Sequence, residues 1–189
     1  MVTGKRLILC SNSPRRRELL SGLGIDFEID TRSSFNESIG PENTTPEVLP
    51  QILAKGKSLG FHRPLEEDEI LLTADTLVIC DGRIMGKPAN EQEAREMLRF
   101  LSGKTHKVVS ALCLRTSAGI REASDTALVT FKDLSEEEIT YYINRYKPFD
   151  KAGAYGIQEW IGYIGIPGIE GSFYTVMGLP VHLVYQLLQ

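Results

Sequence analysis

The sequence predicts an α/β protein, a mixed twisted sheet with flanking helices that holds both parallel and antiparallel strand pairs. Helical periodicity and β-rich apolar runs alternate along the chain instead of segregating into blocks. Two-residue turn signals, Asp81-Gly82 above all, interrupt that alternation and call for local antiparallel pairing. The 189 residues, 42% of them hydrophobic, suit one domain over 1–189 or two closely fused lobes with an ordinary core. No internal repeat, low-complexity linker or clear domain boundary interrupts them.

The apolar run 6–10 reads as a first strand, and Ser11-Asn12-Ser13-Pro14 follows it as a turn. Ser13 suits the N-cap and Pro14 the first helical position. Leu19, Leu20 and Leu23 then share one helical face, with Gly24 as the stop. Residues 31–46 mix Ser, Asn, Gly, Pro and Glu as a loop long enough to be functional, and 48–59 are apolar at helical spacing. The β-rich stretch 70–80 leads through Asp81-Gly82 into a return strand at 83–85, which Gly86-Lys87-Pro88 ends. Asn90 with Glu93 forms a capping-box signal for a helix through Phe100, stopped near Gly103. Two longer strands, 105–116 and 120–132, are joined by Ser117-Ala118-Gly119, and Ser135 with Glu138 opens a helix toward Tyr146. Residues 151–178 hold seven glycines among aromatic and Ile residues, which predicts an ordered region of loops and short strands before a closing helix over 179–189.

Composition excludes several functions. A formal net charge of −4 argues against a general nucleic-acid coat, which needs a broad excess of Lys and Arg. Cys10, Cys80 and Cys113 are scattered through apolar runs and read as reduced core thiols rather than disulfides or zinc ligands. His62, His106 and His182 are equally dispersed. No run of about 18 uncharged apolar residues and no secretory leader pattern occurs, so the expected setting is cytoplasmic, away from membranes.

Three constellations carry chemistry. Ser11-Asn12-Ser13-Pro14-Arg15-Arg16-Arg17 sits at a strand-to-helix junction, where free backbone N–H groups, hydroxyls and guanidinium forks suit a phosphate. It also suits a capped helix with a solvated basic first turn. Cations there oppose the helix dipole, and an anion resolves that conflict. Second, Asp75 lies in Thr73-Ala74-Asp75-Thr76 within an apolar strand, upstream of Gly86-Lys87-Pro88. A carboxylate so placed is paired, metal-bound or neutralised, or else it reaches solvent at the strand end. Third, the stretch 149–158 brings closely spaced glycines to Gln158, whose amide offers a donor and an acceptor to a base edge. Plain turn chemistry is the alternative there.

Five fragments in order, LILCSNSPRRRELL, TADTLVICDGRIMGKP, LSGKTHKV, DKAGAYGIQ and IEGSFYTVMGLP, resemble the Maf family almost from end to end. The resemblance implies an ITPase-like (Maf/Ham1) architecture, a homodimer, and hydrolysis of nucleoside triphosphates between the α and β phosphates with Mg²⁺ or Mn²⁺. It implies a site lined by Ser11, Arg15, Arg16, Lys57, Asp75, Thr76, Lys87 and Gln158, with Glu37 a further acidic residue for the metal beside Asp75. Arg15, Thr76 and Gln158 together resemble the dTTP/UTP branch, whereas a 7-methyl-GTP branch carries a large aromatic at the first of these positions. Two places depart from the family pattern. Lys55-Gly56 precedes Lys57, and Glu159-Trp160 follows Gln158 where a small glycine-rich pair is common.

The expected mechanism is metal-assisted in-line attack of water on the α-phosphorus, with pyrophosphate leaving. Asp75 orients or deprotonates the water, or holds the metal; the sequence leaves these open. Arg15, Arg16, Lys57 and Lys87 offset phosphate charge. The competing reading is a non-catalytic nucleotide-binding regulator of septum formation, a role also associated with Maf proteins. The charge balance and the presence of Asp75 and Lys87 disfavour it.

Overall fold

The computed structural model describes residues 4–36 and 44–189. In chain order the elements are β1 (Arg6–Leu9), α1 (Pro14–Ser21), β2 (Phe27–Ile29), α2 (Leu49–Leu59), β3 (Glu69–Cys80), β4 (Arg83–Met85) and α3 (Glu91–Leu101). There follow β5 (Thr105–Thr116), β6 (Gly119–Thr130), α4 (Glu136–Tyr146), a 3₁₀ turn at Ala152–Ala154, α5 (Trp160–Gly165), β7 (Gly168–Glu170), α6 (Phe173–Met177) and α7 (Val181–Leu187). The strands pair in the order β2-β1-β3-β5-β6-β7, with β4 on β3. Pairs β1/β2 and β1/β3 are parallel, whereas β3/β4 and β6/β7 are antiparallel, so the sheet is mixed as the sequence predicts. Among the described residues no helix is long and apolar enough to cross a membrane.

The chain divides into two compact units: residues 1–76, 110–125 and 178–189 in the first, and 77–109 and 126–177 in the second. In the first unit β1 lies between two parallel neighbours, and Leu7, Ile8 and Leu9 are all buried. A strand covered on both faces reads as a continuous apolar run, as this one does. In the second unit α3 turns Ala94, Met97, Leu98 and Leu101 inward at helical spacing, and α4 buries Ile139, Tyr142 and Ile143. The two helices are tied by the Arg99 fork on Glu136 (2.6 and 2.8 Å) and by Arg95 Nη1 donating to Thr140 Oγ1 (2.6 Å).

Local signals set the boundaries. Ser135 and Glu138 complete a capping box on α4, with bonds of 3.2 and 2.9 Å. Asp81 and Gly82 both take positive φ (49° and 75°), as the tight hairpin between β3 and β4 requires. The glycine-rich stretch holds more helix than expected: α5 and α6 join the expected short strand β7. Gly162 shows why α5 needs a glycine, since a Cβ there would sit 1.8 Å from the Ile157 carbonyl oxygen.

Candidate active site

In the first unit β1 runs directly into α1. Leu9 lies opposite Leu72, and Cys10 N–H donates to Leu72 O (2.9 Å), so the end of β1 is held beside the part of β3 that leads to Asp75. The buried Ser11 accepts from Ser13 N–H through Oγ (3.2 Å), and Ser13 Oγ accepts from Arg16 N–H (3.4 Å), with Pro14 opening the helix. Arg15 is half-buried in its first turn.

Asp75 is buried on β3 and is met by Lys57 of α2, with Nζ 2.6 Å from Oδ1. Their side chains are 10% and 16% exposed, so both charges have left most of their water and each depends on the other. The register that joins them has a visible cause. Thr73 Oγ1, two residues before Asp75, donates to Ala54 O (2.6 Å), one helical turn before Lys57. Lys55 turns elsewhere, to Glu122 at 2.8 Å, so it does not compete for Asp75. Between the two lysines, Gly56 gives room to the Phe35 ring; a Cβ would lie 2.2 Å from Phe35 Cε2.

The Arg16 fork is engaged with the chain itself. Nε donates to Gly178 O (2.8 Å), Nη1 to Ala74 O (2.9 Å) and Nη2 to Thr76 Oγ1 (3.1 Å). Thr76 Oγ1 also donates to Gly178 O (3.2 Å) and lies 2.7 Å from the buried Ser110 Oγ. A hydroxyl has one hydrogen and two lone pairs. With its hydrogen on Gly178 O, Thr76 accepts from both Arg16 and Ser110, and its capacity is full. Gly178 takes a φ of 118°, and a Cβ there would come within 3.4 Å of Thr76 Oγ1. Arg16 and Thr76 thus brace the backbone on either side of Asp75.

The second unit holds Lys87 and Gln158. Lys87 is exposed, just beyond β4, and its neighbour Gly86 accepts from Gly153 N–H (3.0 Å), which ties that turn to the 151–158 loop. Gly153 has a φ of 70° and packs against Val78, 3.2 Å from where its Cβ would stand. Gln158 is half-buried, and its Oε1 is fully enclosed without a hydrogen-bond partner. Glu159 points away from solvent: Oε2 accepts from the Tyr142 hydroxyl, and Oε1 is 3.1 Å from Lys151 Nζ. Trp160 packs edge-on against Tyr141, centroids 4.7 Å apart. Lys151 lies inside a fragment that the sequence flagged, but Tyr142 and Ser110 are hidden in ordinary apolar periodicity and carry no signal of their own.

Glu37 lies outside the described residues. Among those described, no group of three or more His, Cys, Asp or Glu could hold a metal ion. The three cysteines are buried and free, as expected. His106 is a core residue bonded through Nε2 to the Tyr155 hydroxyl (2.7 Å), and burial lowers its pKa to about 4.

A family model described as Maf-like protein matches residues 6–189. The chain is 52% identical to a dTTP/UTP pyrophosphatase of Phocaeicola vulgatus over 97% of its own length and 95% of that protein. It is 51% identical to one of Porphyromonas gingivalis (97% and 93% covered) and 47% identical to one of Bacteroides thetaiotaomicron (95% and 93%). Among solved structures it is similar to a nucleoside-triphosphatase / dITP/XTP pyrophosphatase of Mycobacterium abscessus, 15% identical, covering 67% of this chain and 72% of that one with a TM-score of 0.40. With a family model spanning nearly all of the sequence and such relatives at about half identity, the chain belongs to the Maf family.

Proposed function

We propose that this protein is a nucleoside triphosphate pyrophosphatase that converts dTTP and UTP to the monophosphate and pyrophosphate. The observation that carries the chemistry is the enclosed Lys57–Asp75 pair beside the capped, basic start of α1. Relatives with the dTTP/UTP pyrophosphatase name support the substrate.

Lys57 holds Asp75 in place through Oδ1, and Asp75 acts on the water that attacks the α-phosphorus, as positioned base or as ligand. Ser11, Arg15 and the first N–H groups of α1 receive phosphate oxygens, while Arg16 contributes charge and braces the Ala74 and Gly178 carbonyls. We assign Lys87 to the leaving pyrophosphate. Gln158 and Thr76 belong to base selection, Gln158 directly and Thr76 through the bonds that brace Arg16 and Gly178. Mg²⁺ or Mn²⁺ fits this donor set, because such ions are commonly held by one or two carboxylates together with substrate phosphates. Asp75 supplies one carboxylate, and Glu37 is the proposed second. When bound, the ion polarises the phosphoryl oxygens and offsets their charge. The proposal includes one Maf-like domain, a homodimer and a cytoplasmic setting.

Pyrophosphate release from purified protein across a panel of triphosphates, with and without added Mg²⁺, tests the reading. We expect kcat/KM for dTTP and UTP to exceed that for the purine triphosphates and 7-methyl-GTP. A purine or 7-methyl-GTP value above both pyrimidines removes the base assignment, and absence of turnover with every nucleotide removes the enzyme.

A further inference from the structure

Ser110 is a hydroxyl in the apolar run Val108-Val109-Ser110-Ala111-Leu112 of β5, and it is fully buried. A polar group so placed is unfavourable unless it is bonded, and Ser110 Oγ lies 2.7 Å from Thr76 Oγ1 on β3. The direction of that bond follows from the other two that Thr76 makes. Arg16 Nη2 can only donate, so it takes one lone pair of Thr76 Oγ1; Gly178 O can only accept, so it takes the single hydrogen. One lone pair is left, and it receives the hydrogen of Ser110. The result is a relay of one polarity, from Ser110 to Thr76 to Gly178 O, with the guanidinium held at its middle. Hydrogen bonds arranged in such a relay polarise and strengthen one another.

The guanidinium is engaged on every side that the relay touches. Each of its three nitrogens donates to the protein, Nε to Gly178 O (2.8 Å), Nη1 to Ala74 O (2.9 Å) and Nη2 to Thr76 Oγ1 (3.1 Å). Arg16 stands in the first turn of α1, and Ala74 is the residue before Asp75 on β3. The fork therefore ties the start of α1 to the strand that carries the acid. A planar fork reaches three separate acceptors, which the single ammonium of a lysine does not reproduce.

We propose that Ser110 is a positioning residue: through the Thr76 hydroxyl it keeps the Arg16 fork seated, and the seated fork sets the start of α1 against the strand of Asp75. The proposal rests on the pyrophosphatase reading given above, in which phosphate oxygens meet α1 and the attacking water meets Asp75. Small errors in that spacing are costly, since a displacement of about 1 Å can lower a rate by about 100-fold. Ser110 acts only through its neighbours, being closed off from solvent itself.

The test measures kcat and KM for UTP, read as pyrophosphate release, in the parent, Ser110→Ala, Ser110→Thr, Thr76→Val, Arg16→Lys and the Arg16→Lys/Ser110→Ala pair. Thermal unfolding is followed alongside, and solvent exchange of the Arg16 Nε–H is read by NMR in isotope-labelled protein. Ser110→Ala should lower kcat by about tenfold with KM within about twofold of the parent, and should speed that exchange. Ser110→Thr keeps a hydroxyl and should return most of the lost kcat. Thr76→Val keeps the shape and drops the hydroxyl; it should act as Ser110→Ala does, and it carries the test if Ser110→Ala does not fold. Arg16→Lys should be at least as slow, and adding Ser110→Ala to it should change kcat no further. A merely structural role would lower the unfolding temperature and leave kcat alone. The positioning role falls, with the enzyme intact, if Ser110→Ala and Thr76→Val keep the parental kcat or if Ser110→Thr is as slow as Ser110→Ala. Parental kcat in Arg16→Lys also overturns it, because charge alone would then suffice. If the parent hydrolyses no triphosphate, both readings fall together.

Discussion

Replacing Lys57 by Met should leave Asp75 as an enclosed carboxylate without its cation. Breaking a fully buried pair from one side destabilises by about 3–5 kcal/mol, because the remaining charge stays desolvated. These side chains retain 16% and 10% exposure, which allows some water to return and points to the lower end, about 3 kcal/mol. For a chain of this size each kcal/mol corresponds to about 2–4 °C in Tm, so a fall of about 6–12 °C is expected. Turnover should fall too, since Asp75 loses the partner that holds it in place. The diagnostic measurement is the double variant Lys57→Met/Asp75→Asn, followed by thermal and urea unfolding at pH 7. Removing the stranded charge should restore at least about 2 kcal/mol relative to Lys57→Met alone, though not the activity. If Lys57→Met unfolds within about 0.5 kcal/mol of the parent, a value typical of exposed substitutions, the pair is not the enclosed unit described here.

Asp75→Asn should reduce kcat by at least about 100-fold in folded protein, the scale for losing a positioned base or metal carboxylate; parental turnover would exclude both roles. His106 should make stability fall on acidification. Its folded pKa is lowered to about 4 from 6.5, so the unfolded chain takes up the proton first. The loss begins near pH 6.5, is complete near pH 4, and amounts to about 3 kcal/mol at about 1.4 kcal/mol per pH unit. Urea unfolding of parent and His106→Gln across that range checks it; parallel curves would refute it. Gly56→Ala should destabilise by about 1–3 kcal/mol, because the new methyl meets the Phe35 ring, and an unchanged urea midpoint would show that the ring has room to move.

The sequence makes the first strand, the capped starts of α1, α3 and α4 and the Asp81-Gly82 hairpin legible, because each rests on a signal within a few residues. The strand β2 and the helices α5 and α6 are short, three to six residues, and take their form from what they pack against, which no local pattern records. Much the same division applies to the site. An acid in an apolar strand has to be compensated, so Asp75 stands out, and register within the motif points to Lys57 over Lys55. What Arg16 touches was not legible. Its neighbours in sequence advertise a phosphate, while its bonds run to carbonyls contributed by β3 and by residue 178. Ser110 and Tyr142 were missed for a related reason: a lone hydroxyl in an apolar face looks like core until its partner is known.

The bond from Arg16 Nε to Gly178 O joins residues 162 positions apart. Contacts of such separation carry the heaviest loop-closure entropy and belong to the last stages of assembly. The bracing around Asp75 is therefore finished only when the segment around Gly178 docks. A growing chain on the ribosome, or one clipped before Gly178, would hold every acidic and basic group of the first unit's centre and still lack its keystone. Competence of that centre thus waits on residue 178, however early its charged groups are in place, and the reason is topological rather than chemical.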